Sequence, residues 1–451
     1  MLPIRVSGAL RSLGSLLLSG AILAAADSGT PVPAAPARPD WAADLAFLRT
    51  ELPRRHKNLF FQTERAVFEQ RLDALAREAS GLSDLGVALR LQEIITAQGD
   101  DHSGAVWTQL PGRPRTSPLP LGLYWFSDGW RILSVGPDHP QLLGRRLLAV
   151  NGIPMAEVEQ RLAALLSTHP VVVKARLPGL FALPEVLRHC RLVTGDQLRL
   201  RCADEAGREE EMAFPLAPPS PASGPLRSVT PQGGRLALGW RDQRSILWST
   251  VLADSRLFYA QYNRCDGREV AERRGDKAAA AKLPSLEGLF AQTLADLTTA
   301  LAEGKVDAFV FDLRHNSGGA SDFGTRFAQK LAQLPALRGP GRVYVILGRR
   351  TFSSAILNAR DFQRLLDATL VGEATSGTAN HYGEVQTFVL PSSRLPIAYS
   401  TKYFGTPGGK LEPLQPALPA EMSFADFREG RDRPLEAILL HRAQFLKPKS
   451  R

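Results

Sequence analysis

Val343-Tyr344-Val345-Ile346-Leu347-Gly348 is followed directly by Arg349-Arg350-Thr351-Phe352-Ser353-Ser354-Ala355. The first half is a short apolar run, which predicts a buried strand, and the second half is a sharp polar break. Apolar residues then recur at helical spacing from Ile356 to Leu366, so a helix is expected after the break. A small hydroxyl residue between a buried strand and a helix is where an α/β enzyme places a nucleophile. Ser353 is therefore the candidate nucleophile.

The segments before this stretch repeat the alternation of helix and strand. Leu286–Leu301 predicts a helix, Val306–Arg314 a buried strand, and Phe323–Leu334 a second helix. This order is typical of a parallel α/β layer, in which ligands bind beyond the carboxyl ends of the strands. Gly318-Gly319 and Ser353 each lie just past a strand end, so we expect them to face one crevice.

Acyl transfer requires oxyanion donors and a base besides the nucleophile. Ser354 begins the predicted helix, so its backbone N–H can point at an oxyanion. Gly319 offers a second N–H in a turn where missing side chains let a carbonyl approach. The same turn is also compatible with an ordinary connection between strand and helix. The chain has no G-x-S-x-G elbow, Walker A loop, H-E-x-x-H motif or dinucleotide fingerprint.

Length and composition limit the remaining possibilities. At 451 residues the chain is too long for one simple core, so two or three domains are expected. A content of 44% hydrophobic and 22% charged residues is that of a soluble globular protein. The net charge of +10 is spread along the chain without a basic run that carries aromatic residues, so no nucleic-acid partner is expected. No Cys/His spacing resembles a zinc site, and we predict neither metal nor cofactor.

The N-terminus has the layout of a secretory signal peptide. Arg5 and Arg11 precede an apolar segment, Leu16–Leu23, and the small residues Ala24–Ala26 follow. We predict a signal peptide at 1–26 and a Pro/Ala-rich linker at 27–39, with export to the periplasm or the extracellular space. An uncleaved signal would instead anchor the protein to a membrane. No other apolar run approaches the length of a membrane span.

The cysteines are relevant to the predicted export, because disulfides form in exported proteins. Cys190 and Cys202 flank the turn Val193-Thr194-Gly195-Asp196, and a hairpin there would bring them within disulfide range. Cys265 would then be unpaired.

The mature chain divides into three regions. Residues 40–110 are helical in pattern and end in the turn Gly99-Asp100-Asp101-His102-Ser103. Residues 118–215 read as short strands with one helix, including a hairpin around Asp128-Gly129 and a helix at Met155–Leu166. Residues 216–235, dense in Pro and Ser, are a predicted linker, and 236–446 form the predicted catalytic α/β domain.

Three motifs in series carry a resemblance to a known family. They are Asp312-Leu313-Arg314-His315-Asn316-Ser317-Gly318-Gly319, then Thr351–Ala355, then Val371-Gly372-Glu373-Ala374-Thr375-Ser376-Gly377. Together they resemble the C-terminal processing (tail-specific) serine peptidases, which include tricorn. The resemblance implies a crotonase-like (ClpP-like) α/β spiral as the catalytic core. It also implies an N-terminal helical cap and a PDZ-like, β-rich middle domain.

The family has two catalytic versions, and one residue distinguishes them. In the Ser/Lys version a lysine follows the Gly-Glu-x-Thr-x-Gly turn, but here that position is Thr378, and no lysine occurs between Lys330 and Lys402. A dyad would need a lysine from elsewhere in the chain. The other version resembles tricorn, with a serine nucleophile, a histidine base and a supporting glutamate.

The tricorn-like version implies a role for each matching residue. Ser353 is the nucleophile, His102 the base and Glu412 the supporting carboxylate. The residues next to this predicted triad differ from the tricorn-like pattern at two places. Asp101 precedes His102 where tricorn has a serine, and Pro413-Leu414 follows Glu412 instead of Pro-Asp.

The groove around this site adds further candidates. Gly319 and Ser354 would hold the oxyanion, while Gly318, Asn316 and His381 would contact substrate. His381 is also the nearest rival base in sequence. Together with the predicted signal peptide, the resemblance implies an exported serine endopeptidase acting on a peptide or protein substrate. Two alternatives stay open: a peptide- or ligand-binding protein with weak or no turnover, and an esterase-like acyl hydrolase.

Overall fold

The computed structural model describes residues 38–113, 116–216, 224–406 and 408–446. The predicted signal peptide, and all but the last two residues of the predicted linker after it, lie outside these ranges. Within them, no helix combines the length and the apolar character needed to cross a membrane.

The N-terminal region consists of three helices, as its periodicity predicts: α1 (Trp41–Arg55), α2 (Arg65–Glu78) and α3 (Asp84–Thr96). Asp40 and Ser83 cap α1 and α3 by accepting backbone hydrogen bonds from Ala43 and Gly86. Each helix buries one apolar face against the others, and α3 is enclosed most completely. The polar turn that contains His102 follows α3 and leads into a two-residue strand, β1 (Gly104–Ala105).

The middle region is a twisted antiparallel sheet with helices on it. Its strands are β2 (Leu121–Phe126), β3 (Gly129–Val135), β4 (Arg146–Val150), β5 (Ile153–Pro154), β6 (Gln197–Ala203), β7 (Glu209–Pro215) and β8 (Arg227–Ser228). The main path runs β2-β3-β4-β6-β7, and the predicted hairpin around Asp128-Gly129 is the pair β2–β3.

The prediction of a single helix in this region is wrong. Beside α4 (Met155–Leu166), which matches the predicted bounds, the chain forms α5 (Pro170–Phe181) and α6 (Pro184–His189). The apolar residues of α5 include the run Val171-Val172-Val173 and show no helical spacing. Many of them are buried, and the two charged residues of the helix, Lys174 and Arg176, are two positions apart and do not share a face, so no polar face reveals the helical period.

The C-terminal region is the predicted α/β layer. Its strands are β9 (Leu247–Leu252), β10 (Leu257–Tyr262), β11 (Ala308–Asp312), β12 (Val343–Leu347), β13 (Thr369–Gly372), β14 (His381–Val389), β15 (Pro396–Phe404) and β16 (Leu418–Pro419). The helices are α7 (Arg268–Arg273), α8 (Lys277–Ala280), α9 (Leu286–Ala302), α10 (Asp322–Leu331), α11 (Ser354–Leu366), α12 (Phe424–Glu429) and α13 (Arg433–Leu446). One sheet has the order β16-β13-β12-β11-β10-β9, and all neighbours are parallel except β9 and β10. The parallel layer predicted from the sequence is thereby confirmed.

A second small sheet joins the N-terminal region to the C-terminal region. β1 pairs antiparallel with β15, which pairs with β14. The N–H of Val106 donates to the carbonyl of Pro396 at 2.9 Å, and the N–H of Lys57 donates to the carbonyl of Ser400 at 2.9 Å. The turn with His102 is therefore attached to the C-terminal region, although the whole middle region separates them in sequence.

All three cysteines are buried free thiols. Cys190 ends helix α6, and Cys202 lies within β6, so the segment between them joins a helix to a strand instead of forming a hairpin. The disulfide that a hairpin would allow is absent for this reason.

Candidate active site

Ser353 lies at the break between β12 and α11, as the sequence predicts. Its backbone has φ 51° and ψ −123°, a conformation that non-glycine residues rarely adopt. The Ser353 side chain makes no capping hydrogen bond to the helix that follows. Such strain persists only where the surroundings impose it, and it concentrates at functional sites. The serine is thus held in a sharp elbow with its hydroxyl free.

Contacts from distant segments impose this elbow. The N–H of Phe352 donates to the carbonyl of Asn316 at 3.0 Å, and the Thr351 hydroxyl donates to the carbonyl of Leu313 at 2.8 Å. A Cβ at Gly318 would lie 2.8 Å from the Cβ of Ser353, so this position needs glycine. The turn after β11 and the turn after β12 are therefore locked together.

Gly319 and Ser354 supply two backbone donors to the same place. Gly319 forms a parallel bridge with Cys265, in which Cys265 N–H donates to the Gly318 carbonyl and Ala320 N–H donates to the Cys265 carbonyl. That pattern turns the Gly319 N–H away from Cys265. The Ser354 hydroxyl donates to the Gly319 carbonyl at 2.6 Å and ties the two residues together. Neither backbone N–H has a hydrogen-bond partner among the described residues.

Ser353, Ser354, Gly319, His102 and His381 all line one cavity of about 1750 Å³. A narrow recess beside it is bordered by Ser353, His102 and His381 as well. The structure therefore brings together the predicted nucleophile, the predicted base and the two predicted oxyanion donors.

The imidazole of His102 is enclosed by aromatic rings. It stacks on Phe352 with ring centroids 4.5 Å apart and on His381 at 5.4 Å. Its Nε2 is buried and has no hydrogen-bond partner within the described part of the chain. Burial lowers the pKa of His102 to about 3, against the opposing charge of Asp100, and the nearby His381 and Arg176 lower it further. At neutral pH this histidine is an uncharged proton acceptor.

Asp100 is the carboxylate next to His102. One of its oxygens lies 3.9 Å from Nδ1 of His102 and accepts the His102 backbone N–H at 3.1 Å. The other accepts from His56 Nε2 at 2.9 Å and from the hydroxyls of Ser103 and Ser400 at 2.5 and 2.7 Å. Burial raises the pKa of Asp100, but the hydrogen bond from His56 and the charge of His102 outweigh it, and the net pKa lies below its ordinary value.

Glu412 does not occupy the place that the resemblance implies. Its carboxylate is 67% exposed, lies 3.7 Å from the ammonium of Lys410 and forms no ion pair with His102. Only its backbone reaches inward, where its carbonyl accepts from the N–H of Ala379 at 2.8 Å. Pro413 forms an isolated bridge with Thr378, which holds this segment as a backbone support and directs the Glu412 side chain to solvent.

Asn316 and Gly318, predicted to contact substrate, do not line the cavity. Asn316 is fully buried: its amide donates to the carbonyl of Tyr262 at 2.9 Å, and its oxygen accepts from the N–H of Gly318 at 2.9 Å. Both residues build the turn instead of facing a ligand. His381 does line the cavity, and its Nδ1 lies 3.1 Å from the Thr378 carbonyl. Burial lowers the pKa of His381 as well.

Two lysines, Lys174 and Lys402, also line the cavity. Lys174 stacks its ammonium over the ring of Trp125 at 3.9 Å, and the Lys402 ammonium lies 3.6 Å from Glu384. The Thr378 hydroxyl donates to the carbonyl of Asn380 at 2.6 Å and is buried.

With this geometry in place, solved structures give the fold a family context. Mature CPAF complexed with lactacystin matches at a TM-score of 0.61 with 14% sequence identity, over 90% of this chain and 98% of that chain. Mature CPAF alone matches at 0.60 with 13% identity, over 88% and 95% of the two chains. The chain shares the fold of mature CPAF. The photosystem II D1 C-terminal processing protease is also similar, at 13% identity over 89% of this chain and 96% of that chain, with a TM-score of 0.39.

The shared fold supports, at the level of the fold, the resemblance inferred from the three sequence motifs. By sequence, no protein-family model and no curated protein matches the chain. At identities of 13–14% the similarity concerns the fold alone, so the chemistry has to be argued from the site itself.

Proposed function

We propose that this protein is an exported serine peptidase that cleaves peptide bonds through an acyl-enzyme on Ser353. The observation that carries the proposal is the elbow at Ser353, which shares one cavity with two backbone N–H groups and an imidazole nitrogen that have no hydrogen-bond partner among the described residues. Export rests on the signal peptide predicted from the sequence.

Each group then has one task. The Ser353 hydroxyl attacks the scissile carbonyl while Nε2 of His102 takes its proton. The N–H groups of Gly319 and Ser354 hold the oxyanion. Protonated His102 gives the proton to the leaving amine, and a water molecule, activated by the same nitrogen, hydrolyses the ester on Ser353. The Ser353–His102 hydrogen bond is not formed in this structure, and catalytic hydrogen bonds often tighten only when substrate binds.

The middle region has a place in the same proposal. β2 is an edge strand of its sheet, and three of its residues, Leu123, Tyr124 and Trp125, line the cavity. A peptide added along a sheet edge of this PDZ-like domain would lead toward Ser353. We also propose that the C-terminal α/β layer is a crotonase-like core.

The test of the function is turnover of peptides against turnover of esters. We expect the purified protein to release more cleaved peptide from a mixed peptide library than there are enzyme molecules, as measured by mass spectrometry. Hydrolysis of short esters without peptide cleavage would identify an acyl hydrolase instead. Peptide binding without either reaction would identify a binding protein on a peptidase scaffold.

Asp100, instead of Glu412, is the carboxylate we assign to the support of His102. Asp100→Asn removes the charge that faces the imidazolium formed during catalysis, an attraction of roughly 4 kcal/mol at this distance in a surface-like dielectric. We expect kcat/KM to fall about ten- to a hundred-fold, because part of that attraction is recovered by solvent and neighbouring dipoles. The acid limb of the pH profile should also shift to lower pH, because the His102 pKa loses a group that raises it.

Ser400→Ala is the matched control, because it removes one hydrogen bond to Asp100 and keeps the charge. It should leave the pH profile in place. If the acid limb of the pH profile shifted equally in Asp100→Asn and Ser400→Ala, Asp100 would act only by holding the turn that contains His102.

The pH dependence of the wild-type enzyme provides a separate prediction. Because the pKa of His102 is lowered to about 3, the base stays neutral over about pH 5 to 8, and kcat/KM should not fall near pH 6.5 as it would for an unperturbed histidine. The unfolded chain binds this proton more readily, so the stability contributed by neutral His102 is present above pH 6.5 and is lost as the pH falls toward 3. Circular dichroism at each pH identifies the pH values at which the protein unfolds, and these are excluded from the activity profile. A tenfold loss per pH unit below 6.5 in folded protein would contradict the prediction.

Gly319→Ala tests the oxyanion donors. A Cβ there would lie 2.1 Å from the carbonyl oxygen of Cys265, and φ of +133° disfavours any side chain, so the turn must move. Loss of one oxyanion donor typically lowers kcat about 10²- to 10³-fold. Gly207→Ala is the control, since Gly207 has φ +81° but open space around its Cβ. Unchanged kcat in Gly319→Ala would exclude this N–H from the oxyanion site.

A further inference from the structure

The cavity beside Ser353 is strongly cationic, and its cations are not all balanced. Most of them have a carboxylate within 4 Å: Arg113, Arg273, Arg274, Arg314, Arg349 and Lys402. Among the described residues, Lys174, Arg176 and Arg350 also line the cavity but have no carboxylate within that distance. Lys174 is partly compensated by the face of Trp125.

Of these three cations, Arg350 has the fewest contacts that offset its positive charge. It lies three residues before the nucleophile, on the same loop. Its guanidinium has no hydrogen bond or ion pair with any residue in the described ranges. Burial lowers the pKa of Arg350, and the charge of Arg350 in turn helps burial to lower the pKa of its neighbour His315. An enclosed cation without a counter-charge is costly, and an arriving anion removes that cost.

Arg176 lies against Phe352, the residue that precedes the nucleophile. Its guanidinium is 4.7 Å from the centroid of Phe352, the ring that also stacks on His102. Within the described ranges, the Arg176 side chain makes a single hydrogen bond, a long one of 3.5 Å to the backbone carbonyl of Asp101. Burial raises the pKa of Asp101, which weakens that side chain as a counter-charge.

We infer that the cavity selects substrates that carry a carboxylate beside the scissile bond, with Arg350 and Arg176 as the residues that bind it. Guanidinium groups bind carboxylates through paired, charge-assisted hydrogen bonds, and the acid can be a glutamate or aspartate side chain or the free C-terminus of the peptide. The cavity volume of about 1750 Å³ accommodates a peptide segment on either side of the bond. This inference rests on the proposed function, because it places a peptide over Ser353. A carboxylate at Arg176 would also offset the charge that helps to keep the His102 pKa low, so substrate would make the base stronger.

Binding to Ser353→Ala protein tests the inference without requiring turnover. The probes are fluorescein-labelled decapeptides in which a single glutamate or glutamine moves along a neutral sequence, each with a free or an amidated C-terminus. Fluorescence anisotropy should show that the acid peptide binds about ten- to a hundred-fold more tightly than its neutral partner at one position, the range expected for a charged hydrogen bond. Arg350→Gln and Arg176→Gln should each reduce that ratio to about three or less, while Arg350→Lys retains part of it.

Arg274→Gln is the matched control, because Arg274 lines the same cavity and is paired with Asp266. It should leave the ratio unchanged. A ratio that depends on the internal glutamate identifies a side-chain subsite, and one that depends on the free C-terminus identifies a terminal-carboxylate subsite. Equal binding of acid and neutral peptides, an undiminished ratio in both arginine variants, or no peptide binding would overturn the inference. Failure of the proposed function would appear separately, as peptide binding to this variant with no hydrolysis by the wild-type protein.

Discussion

Replacing Ser353 by alanine will reduce peptide hydrolysis to the background rate, because the two neighbouring hydroxyls, those of Thr351 and Ser354, are already hydrogen-bonded to the carbonyls of Leu313 and Gly319. The substitution removes only the Oγ atom, which makes no capping hydrogen bond to α11. The strained backbone, with φ 51°, is retained because alanine and serine share the same Cβ constraint. The melting temperature should therefore stay within about 2 °C of wild type, less than the shift produced by a 1 kcal/mol change in a domain of this size.

Ser321→Ala is the matched control for that experiment. Ser321 also lines the cavity, and its side chain makes no capping hydrogen bond to α10. It should keep both activity and melting temperature. Hydrolysis that persists in Ser353→Ala, with a contaminant excluded by an independent preparation, would remove Ser353 from the mechanism.

His102→Gln will lower kcat/KM about 10²- to 10⁴-fold, the usual contribution of a general base, while peptide affinity changes little. Glutamine keeps a polar group of similar size between Phe352 and His381 but cannot accept a proton at neutral pH. The residual rate should rise steadily with pH, because hydroxide then replaces the missing base.

His381→Gln distinguishes the two stacked histidines. His381 contacts the Thr378 carbonyl through Nδ1 and lines the same recess, so its loss should alter KM more than kcat, by less than about tenfold if it only shapes the groove. A large loss of kcat in His381→Gln together with a small loss in His102→Gln would make His381 the general base and His102 the residue that shapes the groove.

The elements around Ser353 could be predicted because their signals are local. β12 has the predicted bounds, Val343–Leu347, since a continuous apolar run in a parallel layer is buried on both faces. α11 begins at Ser354, the predicted helix start, two residues before the apolar helical pattern begins at Ile356. Helix α5 was not predicted, since its enclosure removes the polar face on which the helical period depends.

The partners of the base could not be predicted in the same way. Asp100 is two residues from His102, yet its role depends on bonds to His56 and to Ser400, which lies 300 positions away. A sequence pattern implied Glu412 instead, and the bridge between Thr378 and Pro413 turns that segment so that its carboxylate faces solvent. Contacts between residues far apart in sequence therefore decide which carboxylate faces the His102 imidazole.

Asn316 shows the same limit for the substrate groove. It lies in a glycine-rich turn past a strand end, where a ligand contact is a reasonable expectation. Its amide and carbonyl oxygen are instead used by Tyr262 and Gly318, and a sequence carries no record of which groups are consumed. Conversely, Arg350 and Arg176 became candidates only when the cavity showed which cations have no carboxylate.

The central claim is that Ser353 is a nucleophile activated by a histidine from the far side of the middle region. The most direct measurement is the rate at which a fluorophosphonate modifies the protein, with the site located by mass spectrometry, in wild type and in His102→Gln. We predict one adduct, on Ser353, formed at least about a hundred-fold more slowly in the variant. An adduct on another residue, or an equal rate in both proteins, would contradict the account.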